Sequence, residues 1–226
     1  MNLTSIFVID LETTGLDTTT CGIYQFAAKV IDPRTLDPVE YGECNFYMRP
    51  PKGSIDPKTV AWHSKRRNVP EEQILAEWDS YPDPKVVWPE ILKFIARHHT
   101  RQTRQTIHSA PIPAGANIIK YDLPIIDRYN ALYGEKDTNG NPKELFSAVK
   151  IIDLTQWFFP WFENNGEVTS YSMDDMRDYL GMPKENAHDA LQDVKDSAKI
   201  IIWLMKLTRQ AAAKVKFKGI ASKGKK

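Results

Sequence analysis

Cysteine is scarce in this chain of 226 residues: only Cys21 and Cys44 are present. Two are too few for a disulfide framework, and they have no metal-site spacing, so a reducing compartment is expected. Long apolar runs are missing as well. No stretch approaches the roughly 18 apolar residues of a membrane span. The opening Met-Asn-Leu-Thr-Ser-Ile-Phe-Val-Ile-Asp lacks a basic flank, and its apolar run is too short for a secretion signal. A cytoplasmic location with no membrane partner is the expectation. Global charge is also lacking. Lys and Arg number 30 against 29 Asp and Glu, a formal net charge of +1, so bulk charge points to no polyanion. Internal repeats and flexible linkers are absent, and the length suits a single α/β domain with insertions.

Local charge says more. From Ala211 onward stand six lysines (Lys214, Lys216, Lys218, Lys223, Lys225, Lys226) and no acid. The reading is a domain over 1–208 followed by a basic tail over 209–226. The tail is either a solvated terminus or an arm for phosphates.

The apolar run Ser5–Asp10 has the look of a central strand buried on both faces. Thr13–Thr20 reads as a loop. Ile23–Asp32 and Glu43–Arg49 alternate as strands, and the turn residues between them (Asp32-Pro33-Arg34, Asp37-Pro38) suggest a three-stranded antiparallel meander. Ile55–Asp79 holds helical pieces, and Val86–Arg97 is a helix. His98–Thr106 reads as an exposed polar connection, where His98, His99 and His108 lack the spacing of a rigid metal site. A strand is expected within Pro111–Asn117, an amphipathic helix over Asp122–Tyr133 and a strand over Val149–Leu154. The aromatic cluster Trp157-Phe-Phe-Pro-Trp-Phe162 reads first as core, and second as a stacking surface for bases. Tyr171–Leu180 is a helix stopped by Gly181 and Pro183. The last helix runs from about Asp189 to Leu207, with Ala190, Val194, Ser197, Ile201 and Met205 as its apolar stripe. A meander followed by alternating strands and helices gives a mixed sheet flanked by helices.

Asp10-Leu-Glu12 puts two carboxylates on one face of a strand, because residues two apart share a face. Hard cations such as Mg²⁺ or Mn²⁺ take oxygen ligands, so the pair is a plausible metal seat. Alone this signal is weak. Asn117 followed by Asp122 marks a strand end and a helix start, where Asp122 can also be a simple cap. His188 and Asp193 open the last helix. A lone histidine is usually structural, and an acid in a first turn suits the helix dipole. Four acids gathered without a nearby lysine or arginine would leave uncompensated charge.

Taken in order, Asp10-x-Glu-Thr-x-Gly, Asn117-x4-Asp122 and His188-x4-Asp193 resemble the DEDDh 3′-to-5′ exonucleases, the family of polymerase proofreading subunits, oligoribonuclease, RNase T and exonuclease I. Asn186-Ala-His-Asp-Ala-x-x-Asp-Val is particularly similar to exonuclease I. The resemblance runs from about Ile6 to Leu207. It implies an RNase H-like fold with a mixed five-stranded sheet. It implies Asp10, Glu12, Asp122 and Asp193 as ligands of two Mg²⁺ or Mn²⁺ ions, and His188 as general base. Thr13, Thr14, Leu16 and Asn117 are implied substrate contacts, Leu16 as a wedge against the terminal base. Two metals stabilise the attacking and leaving oxygens of an in-line displacement, while the histidine takes the proton of the attacking water. The implied products are nucleoside 5′-monophosphates. Pro111–Ala116 is less apolar than the usual strand, and Gln25 stands where relatives often have an acid. The Ile55–Thr106 stretch matches poorly, and substrate preference can be set there.

Single-stranded DNA is favoured as substrate. An RNA trimmer of the oligoribonuclease or RNase T type is the near alternative. An inactive nucleic-acid-binding module, or a subunit docked to a polymerase or other replication or repair partner, is a third reading.

Overall fold

Strand β1 (Ile6–Thr13) lies at the centre of a five-stranded sheet of order β3-β2-β1-β4-β5. The structure is a computed structural model that describes residues 4–99, 110–165, 170–184 and 189–214. Strands β2 (Ile23–Ile31) and β3 (Pro38–Tyr47) continue the sheet as an antiparallel meander. β4 (Ile112–Gly115) and β5 (Ile152–Asp153) add parallel strands on the other side. The sheet is therefore mixed, as expected. The parallel half is short, since β5 covers only two residues of the strand expected over Val149–Leu154. A Cβ on Gly115 would stand 2.7 Å from the carbonyl oxygen of Ile9, so β4 needs glycine where it approaches β1.

The alternation of β1 splits the core into two layers. Phe7, Ile9 and Leu11 pack with Trp88, Ile91 and Phe94 of α3 (Pro84–His98) and Ile125, Ile126 and Tyr129 of α4 (Asp122–Tyr133). Ile6 and Val8 face the other way, onto Ala190, Val194, Ala198 and Ile201 of α7 (Ala190–Lys214). Phe158 and Phe162 of α5 (Leu154–Asn165) and Met176 of α6 (Met173–Tyr179) complete that side. Asp10 and Glu12 continue the line of Ile6 and Val8, so period two sends them to the α7 face. A third cluster of Tyr24, Val60, Ile74 and Trp78 joins α1 (Pro57–Arg67) and α2 (Glu71–Ser80) to the meander.

Several expectations shift. The last helix, expected from about Asp189 to Leu207, runs on as α7 to Lys214, and residues 215–226 lie outside the described residues. Strand β3 starts at Pro38, before the expected Glu43. Helix α6 starts at Met173 and not Tyr171, because Ser172 and Asp175 form a reciprocal capping box there. Helix α3 ends one residue later than expected, so His98 is helical and His99 is buried, where a solvated connection was expected. His108 lies outside the described residues. The aromatic cluster is helical: Phe158 and Phe162, four apart, are core, while Phe159 and Trp161 face outward. Among the described residues no helix is long and apolar enough to cross a membrane.

Candidate functional site

At the C-terminal end of β1, Asp10 and Glu12 meet Asp193 in the first turn of α7, and one ligand oxygen from each lies within 4.8 Å of the others. Gln25 helps to set this approach. Its Nε2 donates to Asp189 Oδ2 at 3.2 Å, and its Oε1 accepts the Ala190 N–H at 3.4 Å. The other Asp189 oxygen accepts the Gln192 N–H at 3.1 Å and caps α7. A neutral amide at position 25 can bridge this acid, whereas a carboxylate there would repel it.

Asp122 arrives from the opposite layer. Its Oδ1 accepts the backbone N–H of Leu11 at 3.1 Å, tying the start of α4 to the strand between the two acids. The helix cap position falls on Tyr121, and no side chain caps it, so the capping reading of Asp122 does not hold. Asp153 supports the turn before it, accepting the N–H groups of Asn117 at 3.2 Å and Ile119 at 3.1 Å. Asn117 itself is exposed with φ of 54°, a left-handed conformation that asparagine tolerates.

Glu12 has a partner on its own sheet. The Tyr24 hydroxyl donates to Glu12 Oε2 at 3.3 Å and lies 3.1 Å from Nε2 of His63 on α1. With its one proton directed at Glu12, the hydroxyl accepts from His63. Burial holds the phenol well above its usual pKa, and the charge of Glu12 adds to that.

These acids enclose one side of an open pocket of about 520 Å³, within the range of small-ligand sites. Leu16, 85% exposed, and Trp62, 45% exposed, stand on its rim with Asn117 and Lys58. Thr13 and Tyr121 also line it. Thr14 does not: its hydroxyl donates to the Ser54 carbonyl at 2.5 Å and accepts the Gly22 N–H at 2.8 Å, fully buried in the loop. His188 lies outside the described residues, two positions before α7 begins.

The electrostatics follow from crowding. Burial raises the Asp10 carboxyl well above its ordinary value, with Asp122, Asp193 and Glu12 adding repulsion. Burial, then Asp193, lifts Glu12 to about 8, and burial lifts Asp122 to about 7 against two backbone hydrogen bonds. Carboxylates so desolvated and so close favour a cation among them. Their oxygens are the hard donors that divalent ions such as Mg²⁺ take, so the donor set fits. The expectation of no nearby basic group is overturned. Lys58 stands on the rim, and the buried Arg177 of α6 pairs with Asp193 at 2.5 Å. Neither is near the motifs in sequence, and only packing brings them in. Tyr24, His63 and Trp62 were missed for the same reason, although the last two stand side by side in the poorly matching Ile55–Thr106 stretch.

A mixed sheet of this order with acids gathered at the end of its central strand defines an RNase H-like exonuclease domain. The chain belongs to the RNase T exonuclease family, of the DEDDh type, whose pattern matches residues 7–201. Among solved structures it is similar to cell-death related nuclease 4, with 17% identity, a TM-score of 0.60, and 90% of this chain and 64% of that chain covered. It is similar to Escherichia coli exonuclease I in a zinc-bound complex with single-stranded DNA, with 15% identity, a TM-score of 0.65, and 88% and 40% covered. Exonuclease I from Methylocaldum szegediense gives 16% identity, a TM-score of 0.61, and 90% and 41% covered. The chain thus spans about two fifths of the length of those exonuclease I chains. Curated protein sequences give no match.

Proposed function

We propose that this domain removes nucleotides from the 3′ end of single-stranded DNA, releasing nucleoside 5′-monophosphates. The observation that carries the reading is the trio Asp10, Glu12 and Asp193 with ligand oxygens within 4.8 Å, on the wall of an open pocket. Asp10, Glu12 and Asp193, with Asp122 beside them, would hold two Mg²⁺ or Mn²⁺ ions. Bound there, such ions stabilise the attacking and leaving oxygens of an in-line displacement. The chain's own groups do the rest. Leu16 and Trp62 offer apolar and aromatic surface to the terminal base, and Lys58 offers a cation to a phosphate. Thr13 and Asn117 line the path of the terminal nucleotide, whereas Thr14 acts through the loop it braces. His188 takes the proton from the attacking water. Its ordinary pKa near 6.5 suits that task near neutral pH.

The preference for DNA draws on the exonuclease I structures solved with single-stranded DNA. The domain boundary near 208, a cytoplasmic location and a polymerase or repair partner stand as further expectations.

The deciding assay uses 5′-labelled single-stranded oligonucleotides of DNA and of RNA, with Mg²⁺ and with EDTA. Shortening from the 3′ end of DNA that stops in EDTA supports the reading. Faster trimming of RNA transfers the function to RNA processing. His188→Ala should lower kcat about 10²–10⁴-fold. Near wild-type turnover in that variant removes the histidine from the chemistry.

A further inference from the structure

Arg177 is 1% exposed, yet it sits between α6 and α7 with all three guanidinium nitrogens on carboxylates. Nη2 donates to Asp193 Oδ1 at 2.5 Å, Nε to Asp196 Oδ2 at 3.1 Å, and Nη1 to Asp174 Oδ1 at 3.0 Å. Asp193 and Asp196 lie three apart on α7 and so share the face that meets α6. The second oxygen of Asp196 is held too, by Gln192 Nε2 at 3.0 Å and Lys199 Nζ at 3.2 Å. The guanidinium is thus pinned by a carboxylate that is itself pinned. Its charge also reaches Asp10, where it favours the ionised form.

A buried cluster of this kind is a poor device for stability alone, because desolvating the ions offsets most of their attraction. Apolar residues between α6 and α7 would hold the helices as well. The arginine fork does something they cannot. With one nitrogen on each of three carboxylates, the guanidinium is held in place from three sides, and it grips one oxygen of Asp193, an acid of the candidate metal seat, from a set direction.

We propose that Arg177 is a positioning residue for that seat, clamping Asp193 through Oδ1 so that its carboxylate is oriented before an ion arrives. The inference rests on the assignment of Asp10, Glu12 and Asp193 as ligands. Partners that orient ligating carboxylates typically carry about 10–100-fold in metal affinity or activity.

The test is direct Mn²⁺ binding to the full chain, read by calorimetry and by the electron paramagnetic resonance signal of free Mn²⁺, alongside thermal melting without metal. Arg177→Lys keeps the charge and loses the fork. It should raise the Mn²⁺ Kd about 10–100-fold. Asp196→Ala, which removes the anchor and leaves Arg177 and Asp193 in place, should raise it by less in the same direction. A folded Arg177→Lys protein with the wild-type Kd overturns the clamp, whatever its melting temperature. If Arg177→Lys does not fold, an unchanged Kd in Asp196→Ala overturns it. A wild-type protein that binds no Mn²⁺ instead overturns the metal seat, and the clamp with it.

Discussion

The backbone N–H of Leu11 donates to the carboxylate of Asp122 at 3.1 Å, joining residues 111 positions apart. Leu11 stands between Asp10 and Glu12, so this bond fixes Asp122 relative to both. The acid therefore has a structural job, separable from the chemical one proposed for it.

Asparagine at 122 keeps an oxygen for the Leu11 N–H and gives up the charge, whereas alanine leaves that buried donor unpaired. An unsatisfied buried donor costs about 1–3 kcal/mol. Asp122→Ala should be less stable than Asp122→Asn by that amount in urea denaturation, with both inactive. Equal stability of the two variants would show that the bond contributes nothing.

Tyr24 gives the second expectation. Its ring stacks on Trp78 at 4.8 Å between centroids, so phenylalanine keeps the packing and removes only the hydroxyl. Tyr24→Phe should leave the fold intact and raise the Mg²⁺ concentration for half-maximal activity by about 10-fold, the low end for a lost partner of a metal ligand. An unchanged Mg²⁺ titration would reduce the Tyr24–Glu12 contact to packing.

Without metal, stability should fall as pH rises. Glu12 near 8 and Asp122 near 7 keep protons in the folded state that the unfolded chain, with ordinary carboxyls near 4, has released. The native state binds more protons, so unfolding free energy has a negative slope between about pH 4.5 and 8. Melting temperatures in EDTA should decline across that window. Saturating Mg²⁺ or Mn²⁺ should remove most of the decline by compensating the charge. A flat EDTA profile would contradict the crowding of acids described above.

Trp62 should act on substrate binding. Stacking of one base on an aromatic ring is worth about 1–3 kcal/mol. Trp62→Ala should raise KM for a single-stranded oligonucleotide by a corresponding factor, with kcat changed less. The measurement is steady-state kinetics, and an unchanged KM would leave Trp62 as the surface on which Arg66 rests, 5.2 Å from its ring centre.

The acids were legible in the sequence because each follows a local rule. Period two puts Asp10 and Glu12 on one face of β1, and Asp122 and Asp193 each stand in the first turn of a helix announced by its pattern. The meander was legible from alternation and turn residues. Arg177 was not, since nothing in Asp174-Asp-Met-Arg177 tells that α6 packs its arginine inward against α7. Tyr24 reads as an ordinary residue of β2, and its alignment with Glu12 and His63 exists only across strands and a helix. Residues whose role is to hold another residue carry no pattern of their own. The helical state of His98 and the burial of His99 were hidden because polar histidines imitate a loop.

The two layers that sandwich β1 each deliver part of the acidic cluster, α4 bringing Asp122 from one side and α7 bringing Asp193 from the other. A ribosome releases Asp10 early and Asp193 some 180 residues later, so a nascent chain cannot gather the acidic cluster until α7 docks. On the proposed function, nucleolytic capacity is in this way withheld from partly folded chains. In a refolding experiment nucleolytic activity should be the last signal to return, after the burial of Trp88.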